Sequence, residues 1–270
     1  FNIILFFKIK MINVIIGKNC SLTSELNKKI KNCLIFSARD PNLETKIKSI
    51  NYKKKINIIF NNFYPSKRIS KVRPANYSEF IKLSLSSTAI VLNSINPQNI
   101  NKIIYNSSSS IYGFNKFDLK DSSNRKLASS FKILSENIIY NFCIQNKINF
   151  NILRIFNLYT GIDDKFSILG KIFYSQNFKK KIIINNNGNS IRDFIQIKDV
   201  VNIISTLLKK KTKNIVLDVG SGYGTKIKDI LNYINFPEKL IEYKNNKEEI
   251  QTSIANIKNL LLEVNMPKLY

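Results

Sequence analysis

The sequence predicts an α/β protein, a doubly wound parallel sheet with a small C-terminal lobe, and two observations carry that expectation. The apolar runs at 11–17 (MINVIIG), 33–36 (CLIF), 56–60 (INIIF), 101–105 (NKIIY) and 150–155 (FNILRI) are continuous rather than alternating, as strands covered on both faces are. Helical stretches separate them, and a β-α-β-α alternation implies parallel strands joined by crossover helices.

Taken in order, residues 11–17 form the first strand and end in a glycine, followed by a polar turn and a helix to about Lys31. Residues 33–36 make a second buried strand and 56–60 a third. Residues 77–94 read as one helix leading to the strand at 101–105. The helix near 124–145 carries Leu127, Phe131, Leu134, Ile138 and Phe142 at helical spacing, which makes one core-facing stripe. Beyond Tyr159 the loops lengthen. Short strands at 181–184 and 215–219 alternate with helices near 199–208 and 226–234, the texture of a smaller lobe over the carboxyl edge of the sheet. The stretch up to Met266-Pro267 shows no final helix.

Composition narrows the partners. With 270 residues and 44% apolar side chains, the chain has room for one large domain with a real core, and disorder is excluded. The formal charge of +25 invites a nucleic-acid partner, as a basic surface does. Only six of the 43 basic residues are arginine, however, and the lysines are scattered among abundant Asn, Ile and Phe. That pattern fits solvated lysine faces, so no specific nucleic acid is expected. Cys20, Cys33 and Cys143 are widely spaced and odd in number, giving neither a disulfide framework nor a metal site, which points to a reducing, cytoplasmic setting. The absence of histidine removes a Ser-His-Asp triad and the usual zinc ligand. The start, FNIILFFKIK, is broken by Lys8 and falls far short of the ~20 residues that span a bilayer. It lacks a small-residue cleavage site, so residues 1–10 read as an upstream extension before Met11, and no membrane span is expected.

Three stretches could carry chemistry. In the turn after the first strand, Gly17 stands where a dinucleotide fold wants a glycine for a tight turn against pyrophosphate. Cys20 and Thr23 occupy the next two glycine positions; both are small enough to permit a cofactor. About 20 residues on, at the end of the second strand, Arg39 suits a ribose 2′-phosphate and Asp40 a 2′-hydroxyl, although a solvated charged loop reads equally well. The third stretch, 103–136, joins an apolar strand, the serine run Ser107–Ser110, Tyr112-Gly113 and a helix with Lys132 and Glu136. A serine cluster facing an inward lysine can polarise a hydroxyl or carbonyl.

That third stretch resembles the extended short-chain dehydrogenase/reductase family, specifically its nucleotide-sugar epimerases and dehydratases. Further segments follow in the family's order: Leu153-Arg154-Ile155-Phe156-Asn157, then Gly188–Phe194 with Arg192-Asp193, then Lys198–Val201, then Asp218–Gly222. The resemblance covers about residues 11–267. It implies a Rossmann-like domain, mainly residues 11–160, and a mainly substrate-binding lobe, 161–270, interleaved with it. It implies NAD or NADP as cofactor, with Arg39 leaning toward NADP, a sugar-nucleotide substrate, and a homodimer through helices such as 77–94 and 124–145.

Carried over by residue, the resemblance makes Ser108 the catalytic serine and Lys132 the lysine that holds the nicotinamide ribose and lowers a tyrosine's pKa. Asn157 and Ser109 become substrate contacts, Arg192 the clamp on the diphosphate, whose planar fork suits phosphate oxygens, and Arg154 an organiser of nearby loops. The catalytic tyrosine, four residues before the lysine and so on the same helix face, falls on Ala128. Alanine transfers no proton. Tyr112, the family's structural tyrosine, and Tyr140, two turns down the helix, are remote stand-ins. For Arg192-Asp193 the alternative is a local ion pair. The phosphate-loop look of Gly220–Thr225 reads as the family's late turn, with Thr225 as helix N-cap. The leading reading at this point is a hydride-transferring enzyme; the alternative is an impaired relative that binds nucleotide or sugar nucleotide, and the remote alternative a basic nucleic-acid binder.

Overall fold

The computed structural model describes residues 11–50, 55–113, 123–161, 167–212, 214–246 and 249–264; residues 1–10 and Met266-Pro267 lie outside the described residues. The first half of the chain gives β1 (Ile12–Ile16), α1 (Ser21–Lys29), β2 (Cys33–Phe36), α2 (Leu43–Lys48), β3 (Ile56–Phe60), α3 (Ser66–Ile69), α4 (Tyr77–Ile81), α5 (Ser87–Asn93), β4 (Ile100–Ser108) and α6 (Asn124–Gln145). The second half gives β5 (Asn149–Ile155), β6 (Asn157–Tyr159), α7 (Ile168–Asn177), β7 (Ile182–Asn185), β8 (Ile191–Gln196), α8 (Ile197–Lys209), β9 (Ile215–Val219), β10 (Gly224–Lys226), α9 (Ile227–Tyr233), β11 (Ile241–Lys244), β12 (Thr252–Ser253) and α10 (Lys258–Glu263).

The main sheet runs β2-β1-β3-β4-β5-β9, and every pairing in it is parallel. Successive side chains of its strands serve opposite cores. Val14, Ile58, Ile103 and Ile152 pack with Ile47 of α2, Val91 of α5 and Ile139 of α6. Ile15, Ile59, Ile104 and Leu153 pack with Leu26 of α1, Ile204 of α8 and Leu260 of α10. This two-sided burial is why the strands read as continuous apolar runs. β2 differs from its expectation: it is an edge strand, half-exposed along its length, because nothing pairs beyond it among the described residues.

Helix α6 has the expected length, and of its expected stripe Leu127, Phe131, Ile138 and Phe142 pack against the core while Leu134 does not. Ala128, Ser135, Ile139 and Cys143 are buried, whereas Leu134, expected in the core, is 46% exposed. Small side chains let the helix approach the sheet closely, and the bulky Leu127, Phe131, Ile138 and Phe142 pack at the flank of the core. The expected single helix at 77–94 is interrupted by a π turn at Lys82–Ser86. The carbonyls in that turn find side-chain donors: Asn62 Nδ2 and Ser87 Oγ both donate to Leu83 O, and Ser135 Oγ donates to Ser84 O at 3.0 Å. A buried carbonyl freed from the helical ladder needs such a partner.

The smaller lobe centres on β8, which pairs with β10, β12 and β6, while β7 pairs with β11. Its core is Ile172, Ile182, Ile184, Ile227, Leu231 and Phe236. Strand β9 returns to the main sheet and α8 packs beside α1, so residues beyond 160 serve both layers. Thr225 is not a helix cap; it pairs with Arg192 in β10, and Lys226 precedes α9 without a side-chain cap bond. The tail does form a helix, α10, which covers one face of the sheet with Leu260.

Candidate functional site

Parallel strands bring all their carboxyl ends to one edge, so Gly17, residues 37–40, residues 61–63, the serine run, Asn157 and Gly220 share it. The chain crosses from β2 over β1 to β3, and ligands of open α/β sheets sit outside such a switch point.

The turn after β1 is built for close approach. Gly17 has φ +122° and a Cβ there would lie 2.6 Å from Asn61 O, so no larger residue fits. Cys20 precedes α1 and gives it no side-chain cap bond. The uncapped amino end of a helix favours an anion. Thr23, in contrast, faces inward: its hydroxyl donates to Gly17 O at 2.7 Å and accepts from Asn61 Nδ2 at 3.0 Å. It holds the turn rather than opening it to a ligand.

From Asn61 a polar ladder continues across the edge. Asn106 Nδ2 donates to Asn61 Oδ1, and Lys132 Nζ donates to Asn106 O at 3.4 Å. The Lys132 ammonium lies 4.1 Å from the ring centroid of Phe63 and 5.7 Å from that of Tyr105. Burial pulls Lys132 down to about 8, against the opposing influence of Glu136 and Cys20. Sequence reading missed Asn61, Asn106 and Phe63, although a polar Asn-Asn pair directly after an apolar strand was a visible signal of a carboxyl-edge site.

Ser108 ends β4 half-buried, its Oγ accepting from Ser110 N at 3.2 Å, and Ser109 opens the tight turn 109–113. Ala128 is 5% exposed and belongs to the apolar core. Tyr112, Tyr105 and Tyr140 are each engaged elsewhere or buried. Tyr112 donates to Asp218 Oδ1 at 2.5 Å and accepts from Arg154 Nη1 at 3.0 Å; burial and the Asp218 carboxylate push its pKa up. Tyr105 is buried and its pKa is raised far above the ordinary range by desolvation. Tyr140 packs edge-on against Phe150, 5.7 Å away, at the amino end of β5. Arg154 grips the buried Glu136 through Nε and Nη2 at 3.3 and 2.8 Å, which ties α6, β5 and the turn after β4 together.

Several expected contacts are engaged within the chain. Arg39 Nε bonds Glu79 at 3.0 Å, and Asp40 accepts from Lys46 at 2.5 Å and Asn42 N at 3.0 Å. That lysine and the amide hold the Asp40 carboxyl below its usual range. Asn157 Nδ2 donates to Asp193 O at 2.8 Å. Arg192 does not pair with Asp193; it meets Glu249 at 2.9 Å. The fully buried Asp193 accepts from Ser221 N and Oγ, Gly222 N and Ala255 N at 2.7 to 3.1 Å. The turn at 220–222 therefore spends its amides on an internal carboxylate, which removes its resemblance to a phosphate loop.

The sequence profile of the NAD dependent epimerase/dehydratase family matches residues 65–220. The chain belongs to that family. Among curated members, this epimerase/dehydratase-family chain is 32% identical over 126 residues to CDP-abequose synthase of Salmonella typhimurium, covering 42% of each protein. It is 32% identical over 114 residues to dTDP-L-rhamnose 4-epimerase of Burkholderia thailandensis, covering 38% of this chain and 30% of that one. The match thus spans less than half the length of either relative. Two solved structures share the fold: UDP-glucuronic acid 4-epimerase from Bacillus cereus with UDP-glucuronic acid and NAD (TM-score 0.74, 16% identity, 97% and 95% of the chains), and Thermus thermophilus UDP-glucose 4-epimerase with NAD (TM-score 0.73, 12% identity, 94% and 92%). Among the described residues no helix is long and apolar enough to cross a membrane.

For a dinucleotide, the donor set fits unevenly. The Gly17 turn and the amino end of α1 suit a diphosphate; toward β4 the polar groups engage one another, and Phe63 covers Lys132.

Proposed function

We propose that this family member binds a nicotinamide dinucleotide and a sugar nucleotide but is impaired in proton transfer, so that hydride exchange between them is slow or lost. The observation that carries this reading is Ala128: it is buried in the apolar core, and Tyr112, Tyr105 and Tyr140 are bonded, buried or turned elsewhere. A bound dinucleotide would supply the redox chemistry. Gly17 and the amino end of α1 would seat its diphosphate, and Ser108 would polarise the reacting oxygen. A tyrosine base of this kind is worth on the order of 10²–10⁴-fold, and alanine leaves that contribution out. The relatives' nucleotide-sugar activities support the sugar-nucleotide part of the reading, and Arg192 would be its diphosphate contact once released from Glu249. A homodimer through α4 and α6 belongs to the same proposal, supported by the exposure of Tyr77, Ile81 and Leu134 on those helices.

One observation favours an active epimerase or dehydratase instead: a lysine held at about 8 can carry a proton near neutral pH. A single experiment separates the two. The chain is incubated with NAD and a panel of UDP-, CDP- and dTDP-sugars; binding is followed by calorimetry and conversion by chromatography and absorbance of reduced nicotinamide. Binding without conversion is expected. Multiple turnovers on any of these sugars would replace the impaired reading with the active one.

A further inference from the structure

We infer that the crevice holds a dinucleotide by its adenosine diphosphate half alone, because Phe63 on Lys132 closes the end where the nicotinamide half would lie; this rests on the nucleotide-binding reading above. The geometry follows from the switch point. With the diphosphate at the Gly17 turn and the amino end of α1, the half whose ribose is read at the end of β2 lies on that side. The other half must cross β3 toward β4 and α6.

The two sides differ. The segment after β3 lines a cavity of about 400 Å³ with Tyr64, Arg68, Lys71, Asn76 and Glu79, and Glu79 meets Arg39, which follows β2. The cavity offers room, cationic side chains and an aromatic wall. On the other side Phe63, the residue next to Tyr64, lays its ring 4.1 Å from Lys132 Nζ. Lys132 spends a proton on Asn106 O, Asn106 one on Asn61, and Asn61 one on Thr23. These donors serve one another, and the aromatic face takes the ammonium that a ribose hydroxyl would need. Ala128, one helical turn before Lys132, presents only a methyl group to that end. The loop after β3 thus sends Tyr64 to the cavity that reaches Arg39 through Glu79, and Phe63 to Lys132.

Calorimetric titration of the full chain with NAD, ADP-ribose and nicotinamide mononucleotide tests this. NAD and ADP-ribose are expected to bind within about threefold of each other, with the mononucleotide undetectable at millimolar concentration. Phe63→Ala is expected to strengthen NAD over ADP-ribose by about fivefold or more. NAD binding more than about threefold tighter than ADP-ribose in the unaltered chain would overturn the inference while leaving the nucleotide reading intact. Failure of both to bind overturns the two together.

Discussion

Lys132 and Phe63 stand in cation–π contact, with Nζ 4.1 Å from the ring centroid, one helical turn from Ala128. On the proposed reading, the pair fills the place where Lys132 would meet a phenol and a ribose. Substitution at 128 alone is therefore insufficient. Ala128→Tyr is expected to destabilise the chain by roughly 1–3 kcal/mol, as overpacking a core position does, and to yield no sugar-nucleotide conversion. Ala128→Tyr combined with Phe63→Ala is expected to give measurable conversion by chromatography. Conversion by the single variant would show that Phe63 is no obstacle.

Lys102 is a second lysine the sequence disguised. It lies in β4 only 3% exposed, and its ammonium donates to Leu207 O, Lys210 O and Thr212 Oγ1 at 2.6 to 3.0 Å, closing the carboxyl end of α8. Burial pulls it down to about 8 from an ordinary 10.5, with Glu263 opposing. Between those values the unfolded chain keeps the proton that the folded chain has released, so stability rises with pH across that window. Urea midpoints measured from about pH 7.5 to about pH 9.5 are expected to climb, and more steeply than in Lys102→Met. The variant should also lose about 1–3 kcal/mol at neutral pH from the orphaned carbonyls. An equal slope in both proteins would remove Lys102 as the source.

Asp193 joins the lobe to the late glycine turn. Its buried carboxylate accepts four bonds, from Ser221, Gly222 and Ala255, and a Cβ at Gly220 would lie 2.5 Å from its Oδ2. Asp193→Asn turns an amide NH₂ toward backbone donors. A loss of about 2–4 kcal/mol is expected in denaturant unfolding; a loss below about 0.5 kcal/mol would mean that the turn holds itself.

Arg154 and Glu136 form the ion pair that steadies α6 beneath the site. Arg154→Met leaves Glu136, 5% exposed, without its cation, and should cost about 3–5 kcal/mol. Adding Glu136→Gln should recover part of that loss, because the uncompensated charge is gone. A double variant as unstable as the single one would place the cost in lost packing instead.

Much of this was legible in the sequence. Unbroken apolar runs separated by helical stretches determined a parallel sheet covered on both faces, since only such strands bury every side chain. The order of the serine run, Lys132, Arg154-Ile155-Phe156-Asn157, Arg192-Asp193 and Gly220 marked the family, and the spacing from Lys132 singled out Ala128. What the sequence could not determine is which way side chains turn and whom they meet. Leu134 followed the apolar period of α6 yet faces outward, because close helix–sheet packing selects small residues. Arg192 met Glu249 rather than its neighbour Asp193, because adjacent residues of a strand point to opposite faces. Phe63 came to rest on Lys132 across 69 positions of chain, a contact that no local pattern encodes. The succession of strands and helices belongs to the sequence; the pairing of charges and rings across the sheet edge was decided only when the strands were brought side by side.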